Sequence, residues 1–264
     1  MNASTERGFI IMNIGSPDEP SSQEIRTFLN EIENEDIGDL PWPVRALLHK
    51  KTNADVAVLR DAYRAVWTGG VSPMVHYCTE LTDKLQAVVE EPVALGMVYG
   101  HPTYKGAIER LLEANVTEIC LLPLFAQYAL ATVGSCVERI KRELKYRHSH
   151  VTLRVVPPFF NQEDFIGAVA STLNLENEHV VFNYHGFPIR HLIKADSLFE
   201  HNHQHCMSSL ECCATCSLSH DRCYRFQCLA TSRGIAKAAG VSDGNYSTTF
   251  QAHADHEKWI TPFK

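Results

Sequence analysis

The amino-acid sequence predicts an α/β fold built on parallel β-sheet. Short apolar runs, each about as long as one buried strand, alternate along the chain with amphipathic helical patterns, as βαβ units require. Glycine and polar residues directly follow several of these runs, where a strand would end in a loop. A chain of 264 residues is long enough for one large hydrophobic core or two modest ones.

The elements of the first half follow in order. Buried parallel strands are predicted at 8–14 and 92–100, which are short apolar runs, and further strands at 116–125 and 151–159. Helices are predicted at 21–32, 104–116 and 132–147 from apolar residues recurring every three or four positions. Ser22, followed by Glu24 and Ile25, has the pattern of a helix-capping box.

The second half repeats the alternation. A helix is predicted at 162–173, a strand at 179–188 and a second helix at 223–240, and the chain from 246 onward begins like a strand. The Pro157-Pro158 step is the best candidate boundary, which gives an N-terminal domain at 1–157 and a second domain at 158–264. The second domain contains few strands for its class, so we expect it to be incomplete.

Composition excludes several classes of protein. The formal net charge of −7 and a pI of about 6.0 argue against a general nucleic-acid-binding protein, which needs basic surface. No apolar run approaches the length of a membrane span, and the N-terminus lacks the order of a signal peptide. The sequence therefore predicts a cytoplasmic protein and leaves peripheral membrane contact open.

The cysteines are unevenly distributed. Of nine, six lie between 206 and 228, whereas Cys78, Cys120 and Cys136 are scattered and resemble small buried side chains. In a reducing compartment, clustered cysteines more often bind a metal or a cluster than form disulfides.

The candidate functional residues follow the strands. Ligands of parallel α/β proteins bind at the carboxyl ends of strands, which directs attention to Asn13–Pro17, Tyr99–Pro102, Gln127-Tyr128 and Tyr184–Gly186. Three of these four loops contain a glycine, which lets backbone approach a flat ligand closely. His185 alone could equally be a strand-end histidine bonded to backbone.

Taken together, six segments resemble the ferrochelatase family, in that family's order and at near-family spacing. The segments are MNIGSP (12–17), YRAVWTGGVSPM (63–74), VALGMVYGHP (93–102), LPLFAQYALATVGS (122–135), FNYHGFP (182–188) and, more loosely, TTFQAHADHEKWITPF (248–263). The resemblance implies two Rossmann-like domains with a porphyrin cleft between them, and insertion of Fe²⁺ into protoporphyrin IX to form haem, with coproporphyrin as the alternative substrate.

The resemblance also assigns roles. His185 corresponds to the active-site histidine, which would accept pyrrole protons or position Fe²⁺, and neutral imidazole suits both tasks. The positions that correspond to porphyrin-contacting residues are Ile14, Lys51, Tyr63, Ser72, Tyr128 and Trp259. The alignment at Lys51 is gapped. For Tyr63, Ser72 and Tyr128 the structural alternative is packing, and Ile14 could be an ordinary core residue at a strand end.

The chain also departs from the family pattern. It ends at Lys264, before the acidic segment whose glutamate faces the histidine, and the tryptophan motif has lost its glycine. Either the sequence is truncated or it is a decayed copy. We favour truncation, because an unfinished sheet would expose an apolar edge.

The cysteine-rich stretch reads as an insertion of about twenty residues, at about 201–223, between the histidine loop and the following helix. One group of ferrochelatases ligates a 2Fe-2S cluster with one internal and three C-terminal cysteines. Leu130 occupies that internal position here, so this arrangement is excluded. A second bacterial group carries all four ligands in an internal insertion, which this chain resembles.

Cys206, Cys213, Cys216 and Cys223 have the symmetric spacing C-x6-C-x2-C-x6-C and are the predicted ligands. Cys212 is the alternative to Cys213, and Cys228 is left out because it aligns with a cysteine of cluster-free relatives. Four thiolates also suit zinc, and the nearby histidines are further candidate zinc ligands. Zinc is therefore the alternative to the cluster.

Two non-enzymatic hypotheses compete with ferrochelatase activity. The chain could be a porphyrin- or haem-binding paralogue without catalysis, or a cluster-based redox sensor on a former enzyme scaffold. The downstream acidic segment would favour the enzyme, and a genuine stop codon after Lys264 would favour the alternatives.

Overall fold

The structure is a computed structural model that describes residues 6–36, 56–175, 178–196, 206–207, 209, 211–214, 217–251 and 258–262. The chain divides into two compact units, unit 1 with Met1–Leu124 and Ser135–Val156, and unit 2 with Phe125–Gly134 and Pro157–Lys264. The boundary after Val156 lies at the Pro157-Pro158 step. Residues 125–134 precede that step but belong to unit 2.

Unit 1 contains a four-stranded parallel sheet in the order β2-β1-β3-β4. Its strands are β1 (Arg7–Gly15), β2 (Val93–Tyr99), β3 (Glu118–Pro123) and β4 (Thr152–Val155). Its helices are α1 (Ser22–Asp36), α2 (residues 56–66), α3 (Pro73–Gln86), α4 (Tyr104–Glu113) and α5 (Ser135–Arg147). The prediction of a parallel α/β architecture is confirmed.

Helices cover both faces of this sheet. Ile11, Leu95 and Met97 form a buried cluster with Cys78 of α3 on one face. On the other face, Gly96 lies so close to Tyr104 at the start of α4 that a Cβ atom would be 2.8 Å from the Tyr104 Cα atom. Successive strand residues point to opposite faces, which is why both faces can be packed.

Several element ends differ from the prediction. β4 stops at Val155 instead of 159, because the following prolines cannot donate ladder hydrogen bonds. Helix α1 is capped by Ser21 rather than Ser22, since the Ser21 hydroxyl accepts the Glu24 N–H at 3.2 Å. The helix predicted from 132 begins as a π-helical turn, Leu130–Gly134, that continues into α5.

Unit 2 contains a two-stranded parallel sheet of β5 (Val180–His185) and β6 (Tyr246–Gln251). Its helices are α6 (Glu163–Ser171), α7 (Ile189–Ala195) and α8 (Tyr224–Ala238), with a 3₁₀ turn at Leu218–Asp221. Its core includes Phe187, Leu192, Cys228, Phe250 and Ile260. Helices α2, α3 and α7 were not predicted from the sequence.

The glycines at the carboxyl ends of β1 and β2 are required because neighbouring backbone packs closely against them. A Cβ atom on Gly15 would collide with the Tyr99 carbonyl oxygen, and one on Gly100 with that of Ser16. Both glycines also have positive φ values, 98° and 73°. These glycines were predicted to let a flat ligand approach the backbone, but here it is neighbouring backbone that lies close to them. Within the described residues, none of the helices has the length and apolarity needed to cross a bilayer.

Candidate functional site

His185 is the last residue of β5, at the carboxyl end of the strand. Along β5 half-buried and exposed residues alternate, and His185 is on the exposed face together with Val181 and Asn183. Its ring contacts that of Phe187 edge-on, with 5.0 Å between centroids. The imidazole is therefore accessible, while the packed Phe187 side chain limits its movement on one side.

The inward-facing residues hold this strand in position. The Tyr184 ring packs against Phe250 of β6 at 6.0 Å, and its hydroxyl is 3.0 Å from the Ser232 hydroxyl on α8. Burial raises the pKa of Tyr184 to about 12, so its phenol stays protonated and can keep this hydrogen bond. Because neighbouring strand residues alternate, anchoring Tyr184 inward directs His185 outward.

Residues 258–262, which we call the strap, lie across the loop after β5. The Ile189 N–H donates to the Lys258 carbonyl at 2.9 Å, and the Ile260 N–H donates to the Phe187 carbonyl at 3.1 Å. Trp259 lies beside Gly186, where a Cβ atom would be 3.5 Å from the indole ring and would collide with the Gln251 carbonyl. The structure therefore places Trp259 beside the backbone of Gly186, the residue that follows His185.

Tyr128 belongs to a loop that is fixed to α8. Its backbone N–H donates to the Gln227 side-chain oxygen at 2.7 Å, and Gln127 donates to the Thr231 hydroxyl at 2.9 Å. Tyr128, Phe187 and His191 border a cavity of about 10 Å³ between this loop and α7. That volume is close to one water molecule, so this cavity is not a porphyrin-sized site.

The predicted residues of unit 1 lie on separate elements. Ile14 is half-buried near the end of β1, and Tyr63 is half-buried in α2, edge-on to Trp67 at 6.2 Å. Burial raises the pKa of the Tyr63 phenol. Lys51 lies outside the described residues, so its predicted role stays a prediction.

Ser72 has a structural task in α3. Its hydroxyl caps the helix by accepting the Val75 N–H at 3.2 Å, and its side chain is buried. Pro73 follows in the first turn, where a missing N–H costs nothing. This hydrogen bond gives Ser72 a structural role in α3 that does not depend on porphyrin binding.

Ser72→Ala is expected to lower the free energy of unfolding by about 1 kcal/mol, because the Val75 N–H loses its partner. Thr103→Ala, which removes the matching cap of α4, is expected to cost a similar amount. Urea unfolding measures both. A higher Kd for porphyrin in Ser72→Ala but not in Thr103→Ala would reveal a binding role beyond capping.

A cavity of about 270 Å³ in unit 1 is bordered by none of the residues assigned to the porphyrin or the metal. It lies between α3, β2 and α4 and is bordered by Thr82, Asp83, Leu95, Thr103 and Arg110, among others. Pro102, from the loop after β2, also borders it.

Three of the four predicted metal ligands converge. The Cys223 side chain is hydrogen-bonded to both Cys206 and Cys213, and Cys206 and Cys223 are buried. Cys212 is adjacent, with its sulfur 4.0 Å from that of Cys213. Cys216 lies outside the described residues. Among those described, no group of three or more His, Cys, Asp and Glu side chains is arranged to hold a metal ion.

The surroundings of Cys213 and Cys223 favour the protonated thiols over the thiolates. The hydrogen bond to Cys206, together with burial, raises the pKa of Cys223 to about 12, and the contact with Cys223 raises the pKa of Cys213. A bound metal would reverse this preference, because its positive charge replaces the proton on each thiol. The raised pKa values of Cys213 and Cys223 therefore favour the thiol form.

Asp196, which the sequence analysis does not single out, anchors this region. It is buried at the end of α7, and its carboxylate accepts the Cys206 N–H at 2.8 Å and the Ser219 hydroxyl. Both ends of the cysteine-rich stretch are thus tied to one carboxylate. A single aspartate before the insertion has no local sequence pattern that would have singled it out.

Comparison with known proteins gives consistent matches over nearly the whole chain. A protein-family model described as Ferrochelatase matches residues 6–263. The chain is 33% identical over 271 residues to a ferrochelatase of Azotobacter vinelandii, covering 98% of this chain and 78% of the relative. It is 34% identical over 275 residues to one of Pseudomonas entomophila, with the same coverage of 98% and 78%. A ferrochelatase of Opitutus terrae is 32% identical over 271 residues, covering 97% of this chain and 76% of the relative.

Proposed function

The chain belongs to the ferrochelatase family, and on that premise we propose that it inserts Fe²⁺ into protoporphyrin IX to form protohaem. The observation that carries this proposal is His185, which is exposed at the carboxyl end of β5 and is followed by Gly186, beside which Trp259 of the strap lies. Iron insertion belongs to haem synthesis, and the reaction needs a base and a metal-positioning group at one place.

The proposed chemistry is proton removal coupled to metal entry. Two pyrrole N–H bonds break as two Fe–N bonds form with the pyrrolic nitrogens, and two protons leave the macrocycle. The neutral His185 imidazole accepts one proton at a time and passes it to water, or it holds Fe²⁺ before transfer. Iron stays ferrous throughout, so the reaction needs no electron donor.

We propose that the porphyrin contacts Ile14, Lys51, Tyr63, Ser72, Tyr128 and Trp259. The geometry of Trp259 supports its part, because an indole beside Gly186 offers a flat apolar surface in the same unit as His185. Tyr128 is supported by its rigid attachment to α8.

We further propose that Cys206, Cys213, Cys216 and Cys223 bind a 2Fe-2S cluster. The contacts of Cys223 with Cys206 and with Cys213 support this set, and Cys213 rather than Cys212 is favoured because it contacts Cys223 directly. Such a group would cross-link the inserted segment. Zinc is the competing occupant, because it accepts the same four thiolates.

An insertion assay tests the enzymatic proposal. The protein, anaerobic Fe²⁺ and either protoporphyrin IX or coproporphyrin are mixed, and metalloporphyrin formation is followed by absorbance. We expect faster turnover with protoporphyrin IX. Tight porphyrin binding without metal insertion would instead support the non-catalytic paralogue.

A further inference from the structure

The outer edge of β2 presents the peptide groups of Leu95. β2 is the edge strand of its sheet and pairs with β1 on one side. On its other side, the Val93 N–H donates to the Gln86 side-chain oxygen at 2.8 Å, and the Met97 N–H donates to the Pro102 carbonyl at 2.7 Å. Because the peptide groups of alternate strand residues point to the same side, Leu95 directs its own N–H and C=O to this edge.

The two peptide groups of Leu95 are buried and lack a partner within the described part of the chain. The Phe9 N–H donates to the Pro92 carbonyl at 2.9 Å, which shows that the even-numbered peptide groups of β2 are the ones that face β1. Nearly all buried peptide groups in proteins bond to protein, to water or to a ligand. A bound molecule at Leu95 would therefore complete the hydrogen bonding of this edge.

The cavity of about 270 Å³ lies at this same edge, with Leu95 on its border and α3 as one wall. The Thr79 and Thr82 hydroxyls of that wall each donate to a carbonyl of α3 at 2.8 Å, so that they have only acceptor capacity left. Asp83 adds a negative charge to the same wall. The α3 wall is therefore suited to a cationic hydrogen-bond donor.

The α4 wall carries the opposite charge. Arg110 borders the cavity from α4 and is exposed, as is Asp83 on α3. Among the described residues, neither side chain has an ion-pair or hydrogen-bond partner apart from the water around it. Two unpaired and opposite charges on facing walls, with a peptide N–H and C=O between them, are complementary to a small zwitterion.

We propose that this cavity binds a free α-amino acid. Its ammonium group donates to the Leu95 carbonyl and to Asp83, and its carboxylate accepts the Leu95 N–H and a hydrogen bond from Arg110. In this pose the ligand repeats one residue of an added antiparallel strand, in which two opposite residues exchange both N–H···O bonds. The inference goes beyond the proposed iron insertion and does not depend on it.

The edge limits the size of the ligand. A longer peptide strand would also need the outward N–H groups of Val93 and Met97, which already have partners. Room for the side chain of a single amino acid lies beside α4, because a Cβ atom on Gly106 would meet nothing nearer than the Thr103 hydroxyl at 3.4 Å. Since Asp83 and Arg110 bind the main-chain charges of the ligand, we expect an uncharged side chain.

Isothermal titration calorimetry of the full chain with each common L-amino acid tests this proposal. We expect at least one uncharged amino acid to bind with a Kd below about 1 mM. The amine and the carboxylic acid that share its side chain should each bind at least about tenfold more weakly, because each lacks one of the two charged groups.

Three variants locate the site. Arg110→Gln and Asp83→Asn should each raise the Kd at least about tenfold, the effect of one lost charge-assisted hydrogen bond. Gly106→Leu should do the same by filling the cavity, and leucine is the better helix former, so the fold should be kept. Arg142→Gln is the control, because Arg142 is exposed on α5 and does not border the cavity. Circular dichroism verifies that each variant is folded.

Three results would overturn the proposal. The first is the absence of binding by every amino acid at millimolar concentration, which would leave water as the partner of Leu95. The second is binding that Gly106→Leu and Arg110→Gln leave unchanged, which would place the ligand elsewhere. The third is equally tight binding of the amine alone. Iron insertion is measured separately, so none of these results bears on the proposed enzymatic activity.

Discussion

Replacement of His185 by alanine is expected to reduce kcat for iron insertion by at least about 100-fold, the low end of what a positioned proton acceptor contributes. Porphyrin binding should remain close to that of the wild type. The reason is local, because His185 points to the exposed face of β5 and its removal leaves the Tyr184 anchor intact. Stopped-flow insertion assays and porphyrin fluorescence quenching measure the two quantities separately.

His179→Ala is the matched control for this experiment. His179 is an exposed histidine just before β5, and its ring lies 3.2 Å from the Ser247 hydroxyl on β6. We expect its replacement to leave kcat within about twofold of the wild type, as for a surface substitution of small energetic effect. Full activity in His185→Ala would remove His185 from the proposed reaction.

Cys223→Ser is expected to abolish the visible absorption of a bound 2Fe-2S cluster and to lower the melting temperature. Cys223 is the central member of the converging thiols, since it contacts both Cys206 and Cys213. Loss of one ligand from four leaves a metal site incomplete, and the metal's contribution to folding is lost with it. Absorbance, iron and zinc analysis and thermal unfolding together measure this result.

Controls within the chain define which cysteines matter. Cys120→Ser, on β3 of unit 1, should leave the absorbance unchanged. Cys213→Ser should behave like Cys223→Ser, whereas Cys212→Ser should retain the cluster. The reverse result for the Cys212 and Cys213 variants would reassign the ligand. A colourless wild-type protein with one equivalent of zinc would rule out the cluster.

Much of the fold follows from local sequence patterns. Strand β2 was predictable because it is a continuous apolar run that is buried along its whole length, which is typical of parallel strands covered on both faces. Strand β4 instead alternates between exposed and half-buried residues. Helices α4 and α8 were predictable from their apolar spacing. Helices α2 and α3 were missed, although Ser72 and Pro73 form a recognisable N-terminal signal for α3. Helix α7 is only seven residues long, too short for periodicity to be evident.

The candidate site was predictable only in part. His185, Trp259 and the cysteines were singled out by motif and spacing, because their side-chain chemistry is unusual wherever it occurs. Asp196 was not, since a single carboxylate has no local signature. Its importance comes from the partners that the fold brings to it, the Cys206 N–H and the Ser219 hydroxyl.

The sequence by itself determined the α/β class, the membership of a family and the types of side chain available for proton transfer and metal binding. Only the tertiary structure decided that the strap pairs with the His185 loop, that Cys223 lies between Cys206 and Cys213, and that glycines after the strands make room for neighbouring backbone. The physical reason is the separation along the chain over which each kind of interaction acts. Periodicity and turn chemistry act over a few residues, whereas these contacts join residues brought together by the packing of separate elements.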